Sequence, residues 1–124
     1  MMARMHDKPP VLFDSDAKTE PQPEFRAIRD AIGPDMGIHL DLNFNFKTEG
    51  YLRIAKAVEP FDLTWLELDT WDPQSLALIR RNAPCPIASL ESICGRRAFR
   101  PFLDAYATDV AIIDVIWNRF PESI

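Results

Sequence analysis

Four acidic residues recur along this chain at nearly one beat. Asp41, Glu67, Glu91 and Asp114 follow one another at intervals of 26, 24 and 23 residues. Each falls at or near the end of a short apolar run. In "HLDLNFNF" (39–46), Asp41 and Asn43 alternate with Leu40 and Leu42. Alternation of this kind reads as a strand. A carboxylate and a carboxamide on its inner face fill a core poorly, so that face meets either water or a cation. Carboxylates converging on one rim repel one another and raise each other's pKa values, a conflict that a bound divalent cation resolves. All-oxygen ligation without Cys or His suits Mg2+ or Mn2+ rather than Zn2+. Taken singly, each acid could simply cap the helix after its strand. Three at near-equal intervals favour the cation.

Such acids must be positioned by repeating elements, and the chain supplies them. After a loose leader, "MMARMHDKPP" (1–10), a run "VLFD" (11–14) leads through a Pro-rich link to "PEFRAIRDAIG" (23–33). There Phe25, Ile28 and Ile32 recur at helical spacing, with Pro23 near the start and Gly33 past the end. Then follow a strand "GIHLDLN" (37–43), a helix over 48–58 and a strand "LTWLELD" (63–69). Asp72 and Pro73 open the next helix, as N-cap and first helical residue. A strand "PIASLES" (86–92), a helix near 96–106 and a strand "VAIIDVIW" (110–117) complete the order.

Five strands alternating with four helices, the strands largely apolar, predict an α/β fold with a parallel sheet. Each interval between acids is one strand–helix unit, so neighbouring acids share one rim. That is where (β/α) barrels keep their catalytic groups. A doubly wound nucleotide binder would carry a glycine-rich turn after its first strand, and "FDSDAKTEP" has none. The expected fold is therefore a partial (β/α) barrel of TIM type, filling residues 11–124.

Composition excludes other classes. With 124 residues the chain is one domain, and 47% apolar residues suffice for a core. A net charge of -5 argues against a nucleic-acid partner. The one basic cluster, Arg96, Arg97 and Arg100, reads as the solvent side of a helix. No apolar run is long enough for a membrane helix, so no membrane partner is expected. Cys85 and Cys94 lack the partners a zinc site needs and are expected as free, buried thiols in a reducing, cytoplasmic setting.

The stretches "HLDLN", "WLELD", "SLES" and "IIDVIWN" together resemble the mandelate racemase/muconate lactonizing enzyme branch of the enolase superfamily. The resemblance implies strands two to six of an eight-unit barrel. It implies Asp41, Glu67 and Glu91 as Mg2+ ligands. It implies a sugar-acid or 2-hydroxy-acid substrate, from which a base takes the proton beside the carboxylate while the metal stabilises the enediolate, as in a dehydratase or racemase. Asn43, two positions past Asp41, would meet the substrate hydroxyl, and Asp114 would match the aspartate that orients a catalytic histidine.

The bases themselves do not match. Pro10 and Leu12 stand where the family's lysines are expected, Lys8 is displaced, His6 lies in the leader, and His39 is expected as a packed core residue. The family's N-terminal lid domain is expected to have no counterpart either. The competing expectation is therefore a truncated, catalytically silent fragment that keeps the metal ligands. Raw parallel edges would make it associate, as a homo-oligomer or with a completing chain. Among the remaining residues, Trp65 is expected to pack in the interior and Asp69 to support the metal site. Phe44 and Phe46 are expected to anchor their loop against the helix at 48–58.

Overall fold

The computed structural model describes residues 23–118. The proposed leader at 1–10 and the strand at 11–14 lie outside the described residues. Within them, helix α1 (Pro23–Ile32) is followed by β1 (His39–Asp41), α2 (Thr48–Val58), β2 (Trp65–Glu67), α3 (Pro73–Asn82), β3 (Ile87–Ser89), α4 (Arg96–Asp104) and β4 (Val110–Ala111). The four strands form one sheet in the order β1-β2-β3-β4, every neighbouring pair parallel. This is the α/β strand–helix alternation of a barrel, in part.

The local signals explain the helices. Asp72 caps α3, accepting from the backbone N–H of Gln74 (3.1 Å) and Ser75 (3.2 Å), with Pro73 at the first position. Gly33 ends α1 at φ +76, and its N–H closes onto the carbonyl of Arg29 at 3.0 Å. A short 3-10 turn, Glu59–Phe61, joins α2 to β2.

One side of the sheet holds the core. Leu66 and Ile87 are register partners, both fully buried. They pack with Tyr51, Ile54 and Val58 of α2 and Leu76 and Ile79 of α3 in one apolar cluster. On the other side, His39 and Asp41 are exposed, while Trp65 and Glu67 are half-buried. Parallel pairing sets His39 beside Trp65 and Asp41 beside Glu67.

Several expectations are corrected. The strands are two or three residues long, so the alternating runs outlast the ladder. Residues 115–118 are helical rather than the end of a strand. His39 is not a core residue: it is exposed and stacks on Trp65 with ring centroids 3.7 Å apart. Phe46 does pack on α2, edge-on to Tyr51, but Phe44 stacks on Trp71 instead, at 4.9 Å. Both cysteines are free, yet Cys94 is exposed and Cys85 half-buried. No helix among the described residues is long and apolar enough to cross a membrane.

Candidate metal centre

Asp41 closes β1, and the chain turns at once. Asn43 has φ 48, a left-handed conformation that asparagine tolerates better than most residues. The turn is closed by the acid itself. Asp41 Oδ1 accepts from the backbone N–H of Asn43 at 2.8 Å, and Oδ2 accepts from Asn43 Nδ2 at 3.2 Å. Asn43 therefore does not continue the strand face, as alternation would have it. It reaches the rim because its turn folds back on Asp41.

Glu67 ends β2 opposite Asp41 in register. Its carboxyl pKa is raised to about 7, first by burial, then by the neighbouring charges of Asp41, Glu91 and Asp69. Burial of a carboxylate among like charges disfavours ionisation. Trp65 lies on the same face, and its indole pulls the other way, slightly favouring the charged form. It does so without a hydrogen bond of good geometry, since Trp65 Nε1 is buried and has no bonded partner.

Glu91 lies two residues beyond the end of β3. Between them Leu90 is fully buried at φ 88, and the Ile93 N–H closes the turn on the Leu90 carbonyl at 3.0 Å. This kink carries Glu91 off the strand axis to a half-buried place close enough to act on Glu67.

Asp114 follows β4 and caps the helical turn after it. Its Oδ1 accepts from the N–H groups of Ile116 (2.7 Å) and Trp117 (3.3 Å). Asn118 in that turn is buried, its Oδ1 accepting from Gly95 N–H at 2.7 Å.

Two residues tie these tips together: Tyr51, which no sequence signal singles out, and Asp69, which the sequence places beside Glu67 as a support. Tyr51 donates its one hydroxyl hydrogen to the carbonyl of Asn43 (2.5 Å), and the same oxygen lies 3.2 Å from the carbonyl of Asp69. Burial raises the Tyr51 pKa, and the charges of Asp69 and Asp41 raise it further. Asp69 is only 6% exposed and holds the loop after β3. Its place two positions beyond Glu67 in "ELD" was the one signal available. Beside them an open cleft of about 310 Å³ is walled by Phe44, Lys47, Thr48, Tyr51, Asp69 and Trp71.

The donor chemistry fits a hard divalent cation: three carboxylates at or just past successive strand ends, one of them with its pKa raised to about 7, first by burial and then by the neighbouring acids. Among the described residues, however, no three His, Cys, Asp or Glu side chains stand close enough to form a ready-made ligand cluster. Asp41 is engaged by Asn43, so the carboxylates would have to swing together around an ion.

The comparison with known proteins decides the family. The model described as enolase C-terminal domain-like matches residues 13–118. This chain belongs to that family. A curated relative, o-succinylbenzoate synthase of Thermobifida fusca, is 35% identical over 91 residues, covering 72% of this chain and 28% of the relative. L-talarate/galactarate dehydratase of Salmonella typhimurium is 28% identical, over 67% of this chain and 21% of its own length. A solved structure from Burkholderia xenovorans, provisionally described as an L-alanine-DL-glutamate epimerase bound to magnesium and fumarate, is 48% identical with a TM-score of 0.82. It covers 93% of this chain and 29% of its own. The enolase-like chain thus spans under a third of the relatives it matches.

Proposed function

We propose that this chain supplies the metal-binding strand tips of an Mg2+-dependent enzyme of the mandelate racemase type. Its reaction would begin with removal of the proton beside a carboxylate, on a sugar acid or related 2-hydroxy acid, as in a dehydratase or racemase. The observation that carries this reading is the in-register pairing of Asp41 with Glu67, with Glu91 near enough to help push the Glu67 pKa to about 7. Relatives named for sugar-acid dehydration and a neighbour bound to magnesium support it.

In this reading Asp41, Glu67 and Glu91 hold Mg2+. When bound, the ion supplies Lewis-acid stabilisation of the charge that develops on the substrate carboxylate. Asn43 has one amide hydrogen committed to Asp41 and a second left to donate to the substrate hydroxyl. The stacked pair His39 and Trp65 lies on the same sheet face, two residues before Asp41 and Glu67 on their strands. Asp114, on the same rim, would orient a histidine from a neighbouring strand. No lysine or histidine of the described residues is assigned as the base.

Thermal unfolding of the full chain with and without millimolar Mg2+, beside Glu67→Gln, tests the site. The expected result is a midpoint that Mg2+ raises in the parent but not in the variant. At a hundredfold excess of Mg2+ over Kd the linkage amounts to about 2.7 kcal/mol. An Mg2+ response absent from both proteins would remove the metal reading.

One observation favours a second reading, metal binding and self-association without turnover. Val115, Ile116 and Trp117 are 53%, 83% and 70% exposed, beside a β4 that pairs on one side among the described residues. An apolar patch at an open edge invites a partner chain. Sedimentation that stays monomeric across a wide concentration range would dismiss it.

A further inference from the structure

Asp69 is a buried carboxylate in a place where acids are rarely found. Its two oxygens are committed to one short segment of the neighbouring unit. Oδ1 accepts from Ser89 Oγ and from the backbone N–H of Leu90, each at 3.3 Å, and Oδ2 accepts from Ser92 Oγ at 3.4 Å. These partners flank Glu91 on both sides.

The residue between them is the unusual one. Leu90 holds φ 88 while fully buried, a backbone conformation that non-glycine residues seldom adopt. A residue stays in such a region only when its surroundings over-determine it. Here the side chain is packed in the core, and the N–H is held by Asp69. Without that left-handed step the chain after Ser89 would run on as a strand, and Glu91 would leave the rim.

The backbone of Asp69 reaches the other way. Its N–H donates to the Asn43 carbonyl at 3.1 Å, and its own carbonyl lies 3.2 Å from Tyr51 Oη. Asn43 in turn holds Asp41. One residue thus links the turn behind Asp41, the strand end of Glu67 and the kink before Glu91.

We infer that Asp69 is a positioning residue: through the Leu90 kink it aims Glu91 at the rim shared with Asp41 and Glu67. Its carboxylate acts through Ser89, Leu90 and Ser92, to which both its oxygens are bonded. This rests on the metal reading above for its consequence, though not for the geometry.

The test uses Asp69→Ala and Asp69→Asn in the full chain, with two readouts. Amide hydrogen exchange reports whether Leu90 and Glu91 stay fixed, and calorimetry with Mg2+ alone reports affinity. In the alanine variant, exchange at Leu90 should quicken at least about tenfold while Leu66 and Ile87 keep their protection. Mg2+ affinity should fall by about ten- to a hundredfold, the usual cost of removing a group that orients a ligand. Asparagine keeps an acceptor for Leu90 and Ser89, so both readouts should stay within a few-fold of the parent. Unchanged exchange at Leu90 in the alanine variant overturns the inference. So does parental Mg2+ affinity once Leu90 has been freed. A parent that binds no Mg2+ removes the metal reading alone, and the exchange result still decides whether Asp69 fixes Glu91. If Asp69→Ala does not fold, the parent decides: a Leu90 amide exchanging as fast as an open loop overturns the inference, and a protected one upholds it.

Discussion

Asp41 and Glu67 are register partners on adjacent parallel strands, so their carboxylates leave the sheet on one face and side by side. The pair has a direct consequence for stability. Glu67 has a folded-state pKa of about 7, above its ordinary value of 4.5. A raised carboxyl pKa means that the folded state binds the proton more tightly than the unfolded chain does. The stability that Glu67 contributes is therefore fully present below pH 4.5 and is lost as pH rises through about 7. Glu67→Gln should match the parent at low pH and exceed it at pH 8 without metal. The gain should be about 1 kcal/mol once solvent screening of this partly exposed group is allowed for. Urea unfolding of both proteins at the two pH values checks the difference, and a variant less stable than the parent at pH 8 would reverse the sign.

Asn43 gives a second test, because it does two separable things. Its backbone sits at φ 48, and its side chain donates to Asp41. Asn43→Gly removes the side-chain bond but suits the conformation, whereas Asn43→Ala removes the bond and strains the turn. The alanine variant should therefore be less stable than the glycine variant by about 1 kcal/mol. Chemical denaturation of the two measures this. Equal stabilities would mean that the turn relaxes out of the left-handed region.

Trp65 predicts an unusual tolerance. Its indole nitrogen is buried with no hydrogen-bond partner, a cost that the folded state bears and the unfolded chain does not. Phenylalanine keeps a ring against His39 and removes that donor. Trp65→Phe should leave stability within about 1 kcal/mol of the parent, well below the usual cost of truncating a large core residue. A loss of several kcal/mol would mean that Nε1 has a partner in solution, Glu67 being the nearest candidate.

What was legible in the sequence is the beat, and the beat follows from chemistry that is local to each unit. Asp72 followed by Pro73 is a local helix-start signal, and Gly33 a local stop. The apolar runs pair as parallel strands of one sheet, and that pairing sets Asp41 beside Glu67. The strand limits were not legible. "HLDLN" alternates through Asn43, but a carboxylate two residues upstream turns the chain before the ladder can continue. The kink at Leu90 was invisible for a related reason: a left-handed leucine carries no glycine to announce it, and what holds it is an acid 21 residues earlier. His39 was misread because period alone places it on the inner face without saying whether that face is covered.

Arg29 shows the same limit and offers the last test. In the sequence it is one more charge on an amphipathic helix, yet its guanidinium grips four backbone carbonyls. Nε and Nη2 donate to the Phe61 carbonyl at 3.1 and 2.8 Å, and Nη2 also donates to Asp62 at 3.1 Å. Nη1 donates to Gly33 at 3.0 Å and Met36 at 2.6 Å. Met36 precedes β1, while Phe61 and Asp62 precede β2, so one side chain sets the approach of both strands whose tips bear Asp41 and Glu67. Lysine keeps the charge but cannot reproduce the planar fork that makes these bonds together. Arg29→Lys should cost about 1–2 kcal/mol, close to the loss in Arg29→Ala, because geometry rather than charge is what disappears. Urea unfolding of both variants checks the magnitude. A lysine variant as stable as the parent would show that charge at this position is enough, and that the two strands are set by their own packing.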